Sequence, residues 1–261
     1  MRALHAEWTK LRTLPSNGWL LAATAVLTIA AGAAATATVD TSHCPTPAEC
    51  FEDTTKLSLA GVWLGQVVVT ALAVGMVGGE YGTGLIKATL AATPRRWTVL
   101  ATKAAVLCTT VAVAGTLGVL GSLLAGRILL PGNGFSAANG NPPPSLTDPA
   151  TLRAAAGTVL YLMLVALLAL GVTTAVRSTA AALTTVLSLL FLTPVLTEMV
   201  TDPTWHDRLQ RLTPTTAGLA IQATRDLDRL PIAPWAGLAV LAAWATAALV
   251  TGGALLANRD Q

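Results

Sequence analysis

The sequence predicts an all-α integral membrane protein with six transmembrane helices. Of its 261 residues, 53% are hydrophobic and only 11% are charged, and its mean hydropathy is +0.63. The charged residues lie mostly between long apolar runs rather than within them. A helix needs about 20 residues to cross a hydrocarbon layer of about 30 Å. Each apolar run is therefore long enough to be a membrane span.

Six stretches meet this length, and they form one transmembrane domain over residues 1–261. Helices are predicted rather than barrel strands, because barrel strands alternate apolar and polar residues in segments of about ten. The first and fourth runs are instead apolar on nearly every face. The predicted spans are residues 19–39, 57–79, 98–126, 152–176, 179–200 and 234–257.

The arm before the first span, residues 1–18, is predicted to be an amphipathic helix in the headgroup layer. Leu4, Trp8 and Leu11 recur at helical spacing, with charged residues elsewhere on the helix. A plain basic anchor that sets orientation is compatible with this interpretation. A cleaved signal peptide is the alternative, because small residues at 33–37 loosely fit a processing site. The length of the apolar run disfavours it.

Basic residues near the span ends predict that both termini face the cytosol. The arm and the connection between spans two and three are basic, whereas loop 40–56 has one cation among four acids. The opposite loops also contain arginines, so the assignment depends on the first helix. The net charge of +3 is spread over separate loops. We therefore expect a lipid bilayer, and no nucleic acid, as partner.

Cys44 and Cys50 lie in the predicted outer loop, where thiols can be oxidised. We expect a small disulfide loop between them. A metal site is less favoured, because only His43 is adjacent and no second pair has ligand spacing. Cys108 falls inside span three and is interpreted as a packing residue.

The remaining outer connections differ in character. Residues 131–149 contain an Asn-Gly and a run of prolines, which predicts a flexible connection. Residues 201–233 predict either short helices dipping into the outer leaflet or an irregular surface loop. Thr213 and Pro214 resemble a helix cap followed by proline at the first helical position. The very short turn at 177–179 predicts an antiparallel hairpin of spans four and five.

Two polar residues, Gln66 and Thr70, lie at depth in span two. Isolated polar groups in lipid are costly and face a helix or a cavity. Their function is left open between interhelical hydrogen bonding and a translocation pathway. Glycine pairs and the Gly118, Ser122, Gly126 row have a spacing of four, which favours close helix packing.

The connection at 78–103 is the segment that most directly suggests a mechanism. Glu80 is predicted to precede a short cytosolic helix from about Thr83 to Leu90, where its carboxylate favours the helix dipole. Arg95 and Arg96 are expected to meet lipid phosphates, and Lys103 to extend back to the cytosol. The segment is either a bare connecting loop or an element that docks a partner.

A family resemblance bears on this choice. The connection reads GEYGTGLIKATLAATPRR at 79–96, followed by VLATK at 99–103, and it resembles the first cytosolic loop of bacterial ABC-2 type transporter permeases. EWTKLR at 7–12 and LTPTTAG at 212–218 are also similar to that family. The likeness covers nearly the whole chain and is uninformative about cargo.

The resemblance implies the permease subunit of an ABC exporter in the bacterial plasma membrane. Two permease copies would join two ABC ATPase subunits and form the pathway for an apolar or amphipathic cargo. The chain has no phosphate-binding Gly-x-x-x-x-Gly-Lys-Ser/Thr loop, so ATP and Mg would bind the partner ATPase, with no cofactor in this chain. The implied ATPase-docking residues are Glu80, Tyr81, Thr83, Gly84, Lys87, Arg95 and Arg96. The implied outer gate includes Thr213, Pro214 and Thr215.

The residues disfavour two other classes of membrane protein. An intramembrane enzyme needs convergent catalytic groups, yet His5, His43 and His206 lie outside the spans. No catalytic residue is therefore predicted. A secondary transporter is disfavoured by the lack of embedded charges for ion coupling. A non-transporting scaffold or sensor subunit remains the alternative to the exporter.

Overall fold

A computed structural model describes residues 15–41, 52–84 and 96–259 of the chain. Six of its helices are long and apolar enough to cross a membrane. This confirms an all-helical protein with six candidate spans, and the described residues contain no strand. The spans are Gly18–Thr38, Thr54–Gly82, Arg96–Asn133, Pro149–Val176, Thr179–Glu198 and Pro234–Asn258.

Several helices extend beyond their predicted ends. Helix Pro15–Thr38 begins before residue 18, so the last residues of the predicted amphipathic arm belong to span one, while residues 1–14 lie outside the described part. Span two begins early with helix Thr54–Ser58 and the 3-10 turn Leu59–Gly61, followed by helix Val62–Thr83. The early start follows from Asp53, whose carboxylate accepts a hydrogen bond from the Lys56 amide at 3.0 Å and caps the first turn.

Span four lies at the centre of the bundle. Its helix Pro149–Val176 packs against spans two, three, five and six, and span one packs against spans two and three. Among the described spans, span five packs mainly on spans two and four, and much of its other side is exposed. The main core takes large buried side chains from five spans, including Leu72, Leu107, Leu162, Leu190 and Leu241.

Small residues occur where helices approach each other most closely. A side chain at Gly171 would collide with the backbone of span six, and one at Gly252 would collide with the Gly171 carbonyl. Gly61 and Gly118 similarly face Thr28 of span one. Close packing at the predicted Gly61–Gly65 and 118–126 rows is therefore confirmed. The pair Gly75 and Gly79 has open space around it in the monomer.

The two ends of the bundle are built differently. We call one end the connector face. It contains the turn at 177–178, residues 84 and 96, and the start of span one. We call the opposite end, with residues 39–41 and 52–53 and segments 130–148 and 199–233, the loop face. The short turn confirms the predicted hairpin: Arg177 takes a left-handed conformation with φ 60°, and Ser178 caps the next helix.

Hydrogen bonds join the segments of the loop face. The prediction that the 131–149 connection is flexible is therefore wrong. Phe135 is fully buried and Asn141 is nearly so. The Arg225 guanidinium donates to Asn141 Oδ1 at 2.7 Å and to the Gly140 carbonyl at 2.6 Å. A polar segment can pack here because the half-buried Arg225 side chain donates hydrogen bonds to its carbonyl and amide oxygens.

Two short helices follow span five on the loop face. The surface helix, Pro203–Leu212, begins at the Asp202 cap and has no buried side chain. The capping helix, Pro214–Leu219, is mostly buried and packs on span six. Short helical segments between spans five and six were one of the two predicted alternatives, and they are present.

Candidate functional site

The connector leaves span two through a glycine. Helix Val62–Thr83 ends at Gly84, which has φ 73° and donates its amide to the Tyr81 carbonyl at 3.3 Å. Glycine adopts this left-handed conformation without the steric cost that a side chain brings. The chain therefore turns sharply out of span two at the point where the connector begins.

One turn before this exit, Glu80 forms a buried ion pair with Lys103 of span three. The Lys103 Nζ lies 2.7 Å from Glu80 Oε1, and the two side chains are only 3% and 10% exposed. Glu80 therefore lies in the last turn of span two, whose helix ends at Thr83, so the predicted short helix does not begin at Thr83. The rest of that predicted helix, residues 85–90, lies outside the described residues. Lys103 points into the bundle and not back to the cytosol, because a charge in an apolar region is stabilised by an opposite charge.

Two arginines bind the end of span six at the same face. The Arg96 guanidinium donates to the carbonyls of Leu256 at 2.6 Å and Ala257 at 3.1 Å. Arg177 donates to the Leu255 carbonyl at 3.4 Å. The last carbonyls of a helix have no intrahelical partner and carry partial negative charge, so both cations suit this position.

Arg177 also joins span four to span two. Its guanidinium lies 5.7 Å from the centre of the Tyr81 ring, within the range of a cation–π contact. We call Glu80, Tyr81, Arg96, Lys103 and Arg177 the connector cluster. It links spans two, three, four and six at both ends of the connector.

The predicted docking residues fall into three groups. Glu80, Tyr81 and Arg96 belong to the connector cluster, and Gly84 ends the helix beside it. Thr83 is the last residue of the helix. Lys87 and Arg95 lie outside the described residues, so they keep only their sequence-based assignment.

Sequence reasoning did not include Lys103 and Arg177 among the site residues. The signal for Lys103 was present, since a lysine within the apolar run of span three requires a partner when it faces the bundle. Arg177 was treated only as part of a turn. Its contacts with Tyr81 and span six depend on how spans two, four and six pack, which no local pattern in one sequence reveals.

The polar residue Gln66 makes an interhelical hydrogen bond, one of its two predicted alternatives. Gln66 is fully buried, and its Oε1 accepts a hydrogen bond from the Tyr161 hydroxyl of span four. Its Nε2 has no partner among the described groups. Thr70 is also buried, but its hydroxyl donates to the Gln66 carbonyl at 2.7 Å, within its own helix. Thr70 therefore makes no described polar contact with another span.

Span five contains a helical irregularity opposite this polar pair. A π-helical segment, Ser188–Leu192, interrupts its α-helix just before Pro194. Proline has no amide hydrogen and its ring crowds the carbonyl four residues earlier, which is that of Leu190. The wider π turn relieves this crowding and is a common cause of bending. We call Ser188–Leu192 together with Pro194 the span-five hinge.

Thr215 of the capping helix binds this hinge. Its hydroxyl donates to the Leu190 carbonyl at 2.8 Å, and the hydroxyl is buried. The Thr215 hydroxyl thereby donates to the Leu190 carbonyl, which cannot receive a hydrogen bond from Pro194 because proline has no amide hydrogen. Thr215 also lies beside the Tyr161 hydroxyl. The capping helix, the hinge and the Gln66–Tyr161 pair therefore form one contact region, which we call the hinge cluster.

The other two predicted gate residues position Thr215. Thr213 has the extended backbone of an N-cap and Pro214 occupies the first turn, as the sequence predicts. The Thr213 hydroxyl pairs with the hydroxyl of Thr216 rather than with a backbone amide. The gate function assigned to these residues is not tested by their positions.

The structure offers no described centre for metal chemistry. Within residues 15–41, 52–84 and 96–259, no group of three His, Cys, Asp or Glu side chains could hold a metal ion. Cys44 and Cys50 lie outside these ranges, so the disulfide stays a prediction. Cys108 is a free, partly buried cysteine in span three.

Comparison of the chain with protein-family models and with curated proteins finds no match. The likeness to ABC-2 type permeases therefore remains a sequence-based prediction.

Proposed function

We propose that this chain is the permease subunit of an ATP-driven exporter, working with a second permease copy and a separate ABC ATPase subunit. The connector cluster is the observation that carries the proposal. At both ends of the connector, residues of the connector cluster contact several spans. A force on residues 85–95 would therefore act on the bundle. A bare connecting loop would not require such attachment.

The force would follow two routes from the connector. From Gly84 it would pass through Glu80 to Lys103 and so to spans two and three, which the ion pair joins at 2.7 Å. From Arg96 it would pass to the last carbonyls of span six, 2.6 Å from the guanidinium. These spans would therefore move together rather than separately.

ATP would bias this motion from the partner subunit. A ligand shifts a conformational equilibrium only by the difference in its affinity for the two states. We infer that the ATPase binds the connector in one orientation better when ATP is bound. The hinge cluster would then let span five bend relative to the moving spans and open a path between the two permease copies.

The proposed cargo is apolar or amphipathic. The inward-facing side chains of the spans are mainly Leu, Val, Ala and Thr, and charged side chains are rare among the buried residues that the structure describes. An apolar wall favours a ligand that also has apolar surface. The bacterial plasma membrane, with both termini in the cytosol, is the proposed setting.

A photo-crosslinking amino acid at position 87 tests the central contact. In native membranes we expect it to capture an ATP-hydrolysing subunit, and we expect the yield to change with ATP. The matched control places the same group at Arg208 on the exposed surface helix, where we expect no capture. Capture of a kinase or another enzyme without ATPase coupling would favour the scaffold or sensor alternative. A connector labelled only from outside the cell would refute the proposal.

Charge reversal of Lys87 and Arg95 provides the functional test. In the purified assembly we expect the Lys87→Glu, Arg95→Glu double variant to lower cargo-stimulated ATP hydrolysis at least about tenfold, which corresponds to about 1.4 kcal/mol. The control is Arg229→Glu on the exposed loop face. Both variants should assemble normally by size-exclusion chromatography. Unchanged stimulation in the double variant would contradict connector docking.

A further inference from the structure

A cavity of about 590 Å³ lies on the loop face, separate from the connector cluster. It lies between the start of span two and the segments that follow span five. Its volume falls within the range of small-molecule binding sites. The residues on which its chemistry depends are Glu52, Lys56, Leu57, Trp63, Leu219 and Leu230.

One part of the cavity wall is apolar and is fixed in place. The Trp63 side chain is 37% exposed, so it offers ring surface to the cavity. The Trp63 ring also packs on Phe191 of the span-five hinge, with ring centres 5.6 Å apart and planes tilted by 52°. Leu57, Leu219 and Leu230 add aliphatic surface. A hydrocarbon chain or ring would bury area against this wall.

The other part of the wall carries one free charge of each sign. Glu52 and Lys56 are both exposed, and neither side chain forms a hydrogen bond or ion pair with another described group. The neighbouring Asp53 differs, because its carboxylate accepts hydrogen bonds from the Thr224 hydroxyl at 2.8 Å and the Arg225 amide at 3.2 Å. Asp53 is therefore part of the wall structure, while Glu52 and Lys56 are available to a ligand.

We propose that this cavity binds a zwitterionic amphiphile. The ammonium group of the ligand pairs with Glu52, its anionic group pairs with Lys56, and its apolar part lies on Trp63. A purely cationic ligand meets the Lys56 charge, and a purely anionic one meets Glu52, so each loses one favourable pair. This site goes beyond the proposed transport function and does not depend on the connector being docked.

Tryptophan quenching tests the site in the full-length protein. The protein is placed in nanodiscs of phosphatidylglycerol, a lipid without an ammonium group, and titrated with lysophosphatidylethanolamine brominated on its acyl chain. The signal from the site is the difference between wild type and Trp63→Phe, a variant that keeps an aromatic ring against Phe191. We expect a saturable difference. A difference that is absent, or that rises linearly with probe, would overturn the proposal.

Charge variants test how the head group is recognised. We expect Glu52→Gln and Lys56→Gln each to weaken probe binding about two- to fivefold, the effect of one exposed ion pair. Glu198→Gln, an exposed carboxylate at the end of span five outside the cavity lining, is the matched control and should not change binding. Unchanged affinity in both cavity variants would show that only the apolar part binds and would contradict the zwitterion assignment.

Two further probes separate the parts of the ligand. Brominated lysophosphatidylglycerol lacks the ammonium group, so we expect it to bind more weakly than the first probe and to lose no affinity in Glu52→Gln. Soluble phosphoethanolamine has the head group but no tail, and we expect it not to displace the first probe. Equal binding of both lipids, or displacement by phosphoethanolamine, would overturn the proposal that both parts are needed.

Discussion

The connector cluster and the hinge cluster join helices by different chemistry. In the connector cluster, full charges make the joints, with Lys103 paired to Glu80 and two arginines on the carbonyls of span six. In the hinge cluster the joints are neutral hydrogen bonds, from Tyr161 to Gln66 and from Thr215 to the Leu190 carbonyl. The Glu80–Lys103 pair and the two hinge hydrogen bonds are all buried, whereas Arg96 and Arg177 are half-buried. The buried contacts of the two clusters therefore differ in charge.

This difference in charge predicts that the connector cluster is stiffer than the hinge cluster. Separating a buried ion pair leaves an uncompensated charge and costs about 3–5 kcal/mol. Opening a neutral hydrogen bond so that a buried group loses its partner costs less, about 1–3 kcal/mol. The connector face is therefore expected to move as one unit, whereas the hinge can open at lower cost. Span five, which packs mainly on spans two and four among the described spans, is the element that such opening would release.

The largest expected effect comes from breaking the ion pair. Lys103→Met keeps a long apolar side chain but removes the ammonium group that lies 2.7 Å from Glu80 Oε1. We expect a loss of about 3–5 kcal/mol in unfolding free energy, measured by denaturant unfolding in detergent micelles. A loss below about 1 kcal/mol would mean that water reaches the pair and that the connector face is not stiff.

Two double variants act as controls for this result. Adding Glu80→Gln to Lys103→Met removes the remaining charge and should recover most of the stability. Exchanging the pair, Glu80→Lys with Lys103→Glu, should recover part of it, because the attraction is restored in altered surroundings. Failure of both to recover stability would assign the loss to packing rather than to charge.

The next effect concerns the hinge. Thr215→Val keeps the shape of the side chain but removes the hydroxyl that donates to the Leu190 carbonyl at 2.8 Å. A buried carbonyl without a donor costs about 1–3 kcal/mol. We expect a loss in this range by the same unfolding measurement, smaller than that of Lys103→Met.

A double-mutant cycle with Pro194 identifies the cause. Pro194→Ala restores a backbone amide that can bond the Leu190 carbonyl in an α-helix. Thr215→Val should therefore cost less in the Pro194→Ala background than in wild type. The control is Thr184→Val, because this exposed threonine bonds only to Ala180 in its own helix and should change stability little. If Thr215→Val costs the same unfolding free energy in both backgrounds, the effect of Thr215 does not depend on the missing Pro194 amide.

The spans could be predicted from the sequence because each depends on a local property. A run of about 20 apolar residues is sufficient to identify a helix that crosses lipid. The helix start at Thr213 and Pro214 was also a local signal. The packed 131–149 segment was not predictable in this way, since it is ordered by Arg225, more than eighty residues further along the chain.

The site was predicted only in part for the same reason. Glu80, Tyr81 and Arg96 were singled out by their position in the connection between spans. Their partners Lys103 and Arg177 come from other spans, and the contact of Thr215 with Leu190 joins residues 25 positions apart. A single sequence gives the polar residues at depth, but not which of them face each other.

The smallest expected effect comes from a helix cap on the loop face. The Asp148 carboxylate accepts hydrogen bonds from the Thr151 amide at 3.0 Å and hydroxyl at 2.9 Å. The backbone hydrogen bond is the main cause that lowers the pKa of Asp148 from its ordinary value. Asp148→Ala should therefore cost about 0.5–1 kcal/mol at neutral pH. Because the folded pKa is lowered, this stabilisation is present above the ordinary carboxyl pKa of about 4 and is lost as the pH falls through the lowered value.

Thermal unfolding of wild type and Asp148→Ala between neutral and acidic pH measures this effect. We expect the two curves to differ at neutral pH and to converge in acid. Asp202→Ala removes the same kind of cap from the surface helix, which has no buried side chain, so it should leave global unfolding nearly unchanged. Equal effects of the two variants would mean that the surface helix is as strongly coupled to the bundle as span four.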